Sequence, residues 1–239
     1  MRTTARRSTG AWCSTPEVGS THRRSSGCRP PRPTPRSTVR PDDPSPSPRA
    51  NRENHVVTVD TDLRRRLQDS FRWRSDRTDP YSTADVTGWW RDPHVLGALG
   101  PGLAALFDDA QPTVVLGIQS RGTLLGALVA AHLGVGLAEA RKDPSRAADT
   151  DAWWDVTTGP DYRDRSLRLG VRRSLLRSGD RVLFVDDWIA TGAQAEAARA
   201  LTDMAGATWL GAAVVVDGLE RPPLRRTLRL RALLSMHQL

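Results

Sequence analysis

The 239-residue chain has almost no cysteine: Cys13 and Cys28 are the only two, and both fall within the first 50 residues. This excludes a disulfide framework or a cysteine-based zinc site in the remainder. Lysine is scarcer still. Lys142 is the single example, and every other basic side chain apart from histidine is arginine. Long apolar runs are also missing. The most apolar stretch, Leu124 to Leu133, is too short to span a bilayer and is broken by Gly126 and His132. No signal-type apolar segment is found. These absences predict a soluble, cytoplasmic protein with no membrane partner.

Charge of one sign is abundant, but only locally. The net charge is +8, yet residues 1–50 hold ten arginines against Glu17, Asp42 and Asp43, which leaves the rest of the chain close to neutral. The basic character is therefore a property of the first segment, and nucleic acid is not an expected partner of the remainder. That first segment carries nine prolines and no hydrophobic period. It cannot bury enough apolar surface to offset its ordering entropy, so residues 1–55 are read as a disordered Arg/Pro/Ser-rich tail. Three origins stay open for it: a start-site artefact, a flexible arm for anionic partners, or a targeting peptide.

Residues 56–239 read as one domain. Leu63, Leu67 and Phe71 predict a short helix capped by Asp60 or Thr61, and Asp92-Pro93 opens a second helix through Val95, Leu99 and Leu103. Strands are expected at Pro112–Ile118, Val135–Arg141, Arg181–Val185, Trp209–Val216 and Leu228–Leu234. Helices are expected at Gly122–Leu133 and Ala193–Met204. Residues 143–166 read as a long loop with at most a marginal hairpin. Strands alternating with helices predict an α/β fold with a mostly parallel central sheet covered on both faces.

The chemistry concentrates where the strand Arg181–Val185 gives way to Asp186-Asp187-Trp188-Ile189-Ala190-Thr191-Gly192. Ligands of open α/β sheets bind beyond the carboxyl ends of strands. A turn of small residues entering a helix presents backbone N–H groups and a helix dipole to a phosphate. Two carboxylates just before it suit sugar hydroxyls or the water shell of a magnesium ion. A second strand-to-helix loop, Gly117-Ile118-Gln119-Ser120-Arg121-Gly122, adds an arginine fork suited to a diphosphate.

The string Val185-Asp186-Asp187-x-x-Ala190-Thr191-Gly192 resembles the signature of the type I phosphoribosyltransferases, and of their adenine phosphoribosyltransferase-like branch in particular. Gln119-Ser120-Arg121-Gly122 and the strand ending in Arg141-Lys142 extend the likeness. The resemblance implies the type I phosphoribosyltransferase fold, with a small N-terminal hood element. It implies a magnesium-dependent transfer of 5-phosphoribosyl from phosphoribosyl diphosphate to a purine-like base. Asp186 and Asp187 would hold the ribose hydroxyls, and Ala190, Thr191, Gly192, Ala193 and Gln194 the 5′-phosphate. Gln119, Ser120, Arg121, Gly122 and Lys142 would attend the diphosphate, and the family's habit implies a homodimer.

The chain departs from the pattern in three places. Gly192-Ala193-Gln194 stands where the family has Gly-Gly-Thr, and Ala193 would be strained if its φ had to be positive. No Glu-Tyr-Gly occurs in 143–166, which leaves Asp161 or Asp164 as candidate mobile-loop acids. The Phe-Pro-x-Pro-Gly hood is replaced by Arg77–Tyr81, which leaves Phe71, Trp73, Tyr81 and Trp188 as candidate partners of the base. The alternative function is a regulatory protein that binds phosphoribosyl diphosphate without transferring it.

Overall fold

The computed structural model describes residues 61–76, 79–144, 152–160 and 165–239. The segment read as a disordered tail lies outside them, as do Asp161 and Asp164. The side chain of Tyr81 is likewise outside the described part.

The chain opens with α1 (61–70), which buries Leu63 and Leu67 and ends against Phe71. The hairpin β1 (Arg72–Asp76) and β2 (Asp79–Asp85) follows as a separate two-stranded antiparallel sheet. Sequence patterning missed this hairpin because its described side chains, 72–75 and 82–85, form no buried face to produce an apolar alternation. Polar cross-strand contacts hold it instead, with Arg74 paired to Asp85 and the Ser75 and Ser82 hydroxyls 3.1 Å apart. Next come α2 (Thr87–Arg91) and α3 (Pro93–Ala105). Asp92 caps α3 as expected, its Oδ1 accepting from the His94 N–H at 2.8 Å with Pro93 in the first turn.

The main sheet is assembled from β3 (Val114–Ile118), β4 (Gly136–Lys142), β5 (Trp153–Thr157), β6 (Arg168–Arg172), β7 (Arg181–Ile189), β8 (Thr208–Asp217) and β9 (Leu230–Ser235), in the order β5-β6-β4-β3-β7-β8-β9. The pairs β4-β3, β3-β7, β7-β8 and β8-β9 are parallel, while β6 runs antiparallel to both β4 and β5. The mostly parallel sheet is as expected. The segment 143–166 is not a plain loop: β5 lies within it and pairs with β6 from Trp153↔Arg172 to Thr157↔Arg168.

Helix α4 (Arg121–Leu133) joins β3 to β4, and α5 (Ala193–Met204) joins β7 to β8. A further helix, α6 (Pro222–Leu228), precedes β9 where the sequence reading placed none. Its two leading prolines look like breakers, yet proline is tolerated in a first turn whose N–H groups have no intrahelical partner.

Alternate residues of each central strand feed opposite cores. Val115, Leu183, Val185 and Val215 pack with α1 to α4 on one face, around the fully buried Trp89. Leu116, Ile118, Phe184 and Val214 pack with α5 and α6 on the other. The Trp89 indole N–H donates to the Leu67 carbonyl at 3.0 Å, which ties α2 to α1. Both faces of the sheet are thus covered, and the carboxyl ends of β3, β4 and β7 open at one rim.

Candidate active site

The rim of the sheet forms a cavity of about 460 Å3. Its walls include Gln119, Ser120, Arg121, Lys142, Asp186, Asp187 and the run Ala190 to Gln194. The two loops singled out from sequence, 67 residues apart at Gln119 and Asp186, therefore line one space. Gly122 stands directly behind it.

β7 does not stop at Val185. It continues to Ile189, pairing with β8 as far as Ile189↔Asp217, so both carboxylates belong to the strand. Rigid backbone places them more firmly than a loop would. Asp186 and Asp187 are both buried. Asp186 Oδ1 accepts from the Asp187 N–H at 2.9 Å. Burial pushes the Asp186 carboxyl well above the usual carboxylate range, and the negative charge of Asp187 pushes the same way. Lys142 pulls against both.

Asp187 has a different partner. Its Oδ2 forms an ion pair with Arg121 Nε at 2.6 Å, though it accepts no well-directed hydrogen bond. Arg121 is the first residue of α4, so the ion pair links the β3–α4 loop to β7. Gly122 is required by the approach of these two segments, because a Cβ there would lie 2.8 Å from Asp186 Oδ1 and 3.0 Å from the Val185 carbonyl. Lys142 ends β4, and its N–H donates to Gln119 Oε1 at 3.2 Å. The Gln119–Ser120 peptide is cis.

The loop after β7 resolves the concern about Ala193. Gly192 carries the left-handed conformation, with φ at +86°, and Ala193 begins α5 without a positive φ. Alanine is therefore unstrained at 193. The Thr191 hydroxyl accepts from the Ala193 N–H at 3.3 Å, and the first turn of α5 leaves further N–H donors without intrahelical partners. Those donors and the helix dipole suit an anion.

The opposite end of the cavity is aromatic and apolar. Trp73, Ala84, Val86, Trp188 and Met236 line it, with Ser82 and Thr83 supplied by β2. Phe71 stacks on Trp188 at 6.1 Å between ring centroids, and Trp73 meets both rings edge-on at 5.1 and 5.9 Å. Of the four aromatics weighed from sequence, Trp73 and Trp188 face the cavity, while Phe71 is buried packing behind them. Thr158, Leu167 and Met236 also contribute to the walls, and no pattern in their own segments signals it. Thr158 and Leu167 are held to each other by Thr158 N–H to the Leu167 carbonyl at 2.8 Å and Leu167 N–H to Thr158 Oγ1 at 3.0 Å. Among the described lining residues, Asp186 and Asp187 are the only acids.

Comparison with known proteins gives a consistent picture. The profile of the phosphoribosyl transferase domain matches residues 102–232. The adenine phosphoribosyltransferase of Synechococcus sp. is 40% identical over 116 residues, which is 48% of this chain and 64% of that protein. That of Nitrosospira multiformis is 37% identical over 135 residues, covering 56% of this chain and 73% of the relative. Among solved structures, adenine phosphoribosyltransferase from Rhodothermus marinus superposes with a TM-score of 0.61 at 27% identity, over 74% of this chain and 99% of the other. The Giardia lamblia enzyme, solved in complex with 9-deazaadenine, gives 0.63 at 27% identity over 72% and 96%. With the profile spanning both cavity loops and the fold shared over 74% of the chain, this chain belongs to the phosphoribosyltransferase family.

Proposed function

We propose that the protein transfers the 5-phosphoribosyl group of phosphoribosyl diphosphate to a ring nitrogen of a purine-type base, with adenine the first acceptor to test. One observation carries this reading: a single cavity holds an anion-seeking helix start, a buried carboxylate pair and two cations, the groups that a ribose 5-phosphate bearing a diphosphate requires. The likeness to adenine phosphoribosyltransferases, and the 9-deazaadenine in the Giardia lamblia structure, favour a purine in the aromatic end.

In this reading a bond forms between the base nitrogen and the anomeric carbon while the bond from that carbon to the diphosphate oxygen breaks. The electron pair leaves with diphosphate, and the nitrogen's proton passes to solvent or to diphosphate. Asp186 and Asp187 orient the ribose through its hydroxyls, and Gly192 to Gln194 anchor the 5′-phosphate. Arg121 and Lys142 place positive charge where the leaving group gathers negative charge.

Magnesium fits as a substrate-borne ion. Among the described residues no group of three or more His, Cys, Asp or Glu gathers to cage a metal, and the Asp186–Asp187 pair suits an ion held chiefly by substrate oxygens and water. Bound there, it would neutralise charge on the departing diphosphate.

The test is turnover of phosphoribosyl diphosphate with magnesium and a panel of purine and pyrimidine bases, with release of diphosphate as the readout. Transfer to a purine is expected. Binding of phosphoribosyl diphosphate without transfer to any base would favour a regulatory protein, and absence of binding would remove both readings.

A further inference from the structure

The β8–α6 connection forms a clasp behind the phosphate loop, and none of its side chains line the cavity. Asp217 ends β8 directly opposite Ile189, the last residue of β7, and the Gly218 N–H donates to the Ile189 carbonyl at 2.8 Å. Asp217 Oδ1 accepts from the Leu219 N–H at 2.9 Å, while its Oδ2 pairs with the Arg225 guanidinium. The other arm of that guanidinium donates to the Leu219 carbonyl. The Asp217–Arg225 pair thus holds both backbone polar groups of Leu219.

Held in this way, Leu219 and Leu224 are both buried, and both bear on Gly192. A Cβ at Gly192 would lie 2.6 Å from Leu224 Cδ2 and 3.3 Å from Leu219 Cδ1. Gly192 is the left-handed residue that turns the loop into α5, so its position decides where the first N–H groups of that helix point. The two leucines therefore form the floor under that turn, and the ion pair fixes the floor.

We infer that Asp217 and Arg225 are positioning residues that hold the 5′-phosphate loop in its anion-binding shape. The inference rests on the assignment of that loop to the 5′-phosphate. Arg225 reaches the ligand only through Leu219, Leu224 and Gly192. It is 44% exposed along its side chain while Asp217 is only 9% exposed. Arg225→Met therefore leaves a nearly buried carboxylate unpaired and lowers the thermal midpoint somewhat, which Arg225→Lys restores by keeping a cation there. Binding sites lose affinity steeply when a supporting contact lets donors drift.

The experiment separates the two ends of the sugar. Ribose 5-phosphate and inorganic diphosphate are titrated calorimetrically into the full chain and into Arg225→Met and Arg225→Lys. The methionine variant is expected to weaken ribose 5-phosphate by about tenfold, which is about 1.4 kcal/mol, roughly the net worth of one hydrogen bond. Diphosphate binding, which belongs to Arg121 and Lys142, should stay unchanged. The lysine variant keeps a cation for Asp217 but loses the second arm to Leu219, and should fall between the two. Equal ribose 5-phosphate affinity in wild type and Arg225→Met overturns the inference. So does a parallel loss of both ligands with a lowered thermal midpoint, which would mark general damage. A wild type that binds neither ligand defeats the assignment of the site itself.

Discussion

The two ends of the cavity are built on different plans. The sugar-phosphate end comes from two strand-to-helix turns, each a continuous run of sequence, and from the end of β4. Its donors are backbone N–H groups and cations and its acceptors the two carboxylates, all at the carboxyl ends of the neighbouring parallel strands β4, β3 and β7 or the helix starts that follow them. The acceptor end is a patchwork: Trp73 from a separate hairpin, Trp188 from β7 and Met236 from the turn after β9. Adjacent strands of a sheet hold functional groups rigidly. A patchwork of rings fixes a flat, apolar shape but places few directional polar groups. The first end suits an invariant substrate, and the second can change its occupant without disturbing the first.

The largest expected effect comes from breaking the sugar end. The double variant Asp186→Asn, Asp187→Asn should lower turnover at least about a hundredfold, on the scale of losing preorganised polar contacts to a transition state. Steady-state release of diphosphate measures it. Activity within a few-fold of wild type would mean that these carboxylates do not engage the ribose. Gly192→Ala should come next. The added methyl meets Leu224 and forces a left-handed alanine, at about 1–2 kcal/mol for the backbone alone. Denaturant unfolding should register that loss, and ribose 5-phosphate affinity should fall with it.

The acceptor end should respond differently. Trp73 is 46% exposed, so Trp73→Ala should leave the thermal midpoint nearly unchanged. A stacking or edge contact with the base is worth about 0.5–1.5 kcal/mol. The acceptor KM should therefore rise roughly two- to tenfold, while the KM for phosphoribosyl diphosphate stays put. A rise in the latter instead would show that the two ends are not separable.

The same division explains what could be read from sequence. The sugar end was legible because each turn is local: a branched apolar run, then small residues, then a helical period. Arg121, Asp186 and Gly192 announce themselves in strings of eight residues or fewer. The clasp was not legible, because Asp217 and Arg225 take their meaning from Gly192, which lies far back in the chain. The hairpin β1–β2 escaped because Trp73 sits among charged neighbours with no buried alternation, and α6 escaped because Pro222-Pro223 reads as an interruption. Of the three departures from the family pattern, the strain feared at Ala193 dissolved once the positive φ proved to belong to Gly192.

The smallest effect, on stability rather than turnover, bears on why the sugar end is rigid at a cost. In the ligand-free protein burial raises the Asp186 carboxyl above the 3.8 of an unfolded chain, with Asp187 adding to the shift. Between those two values the folded state binds more protons than the unfolded one. Stability must therefore fall as pH rises through that window and level off above it, with no penalty below 3.8. Asp186→Asn removes the titration yet keeps an Oδ1 to accept the Asp187 N–H. Thermal unfolding of both proteins without ligand, from about pH 4 to about pH 8, tests this. The variant should show a flatter profile and a higher midpoint at neutral pH, even as it loses transfer activity. Parallel profiles would mean that the buried charge is already compensated. Trp73→Ala should show no such flattening, because among the described residues no titrating group is buried at the acceptor end, and the stored electrostatic cost would then lie with the carboxylate pair.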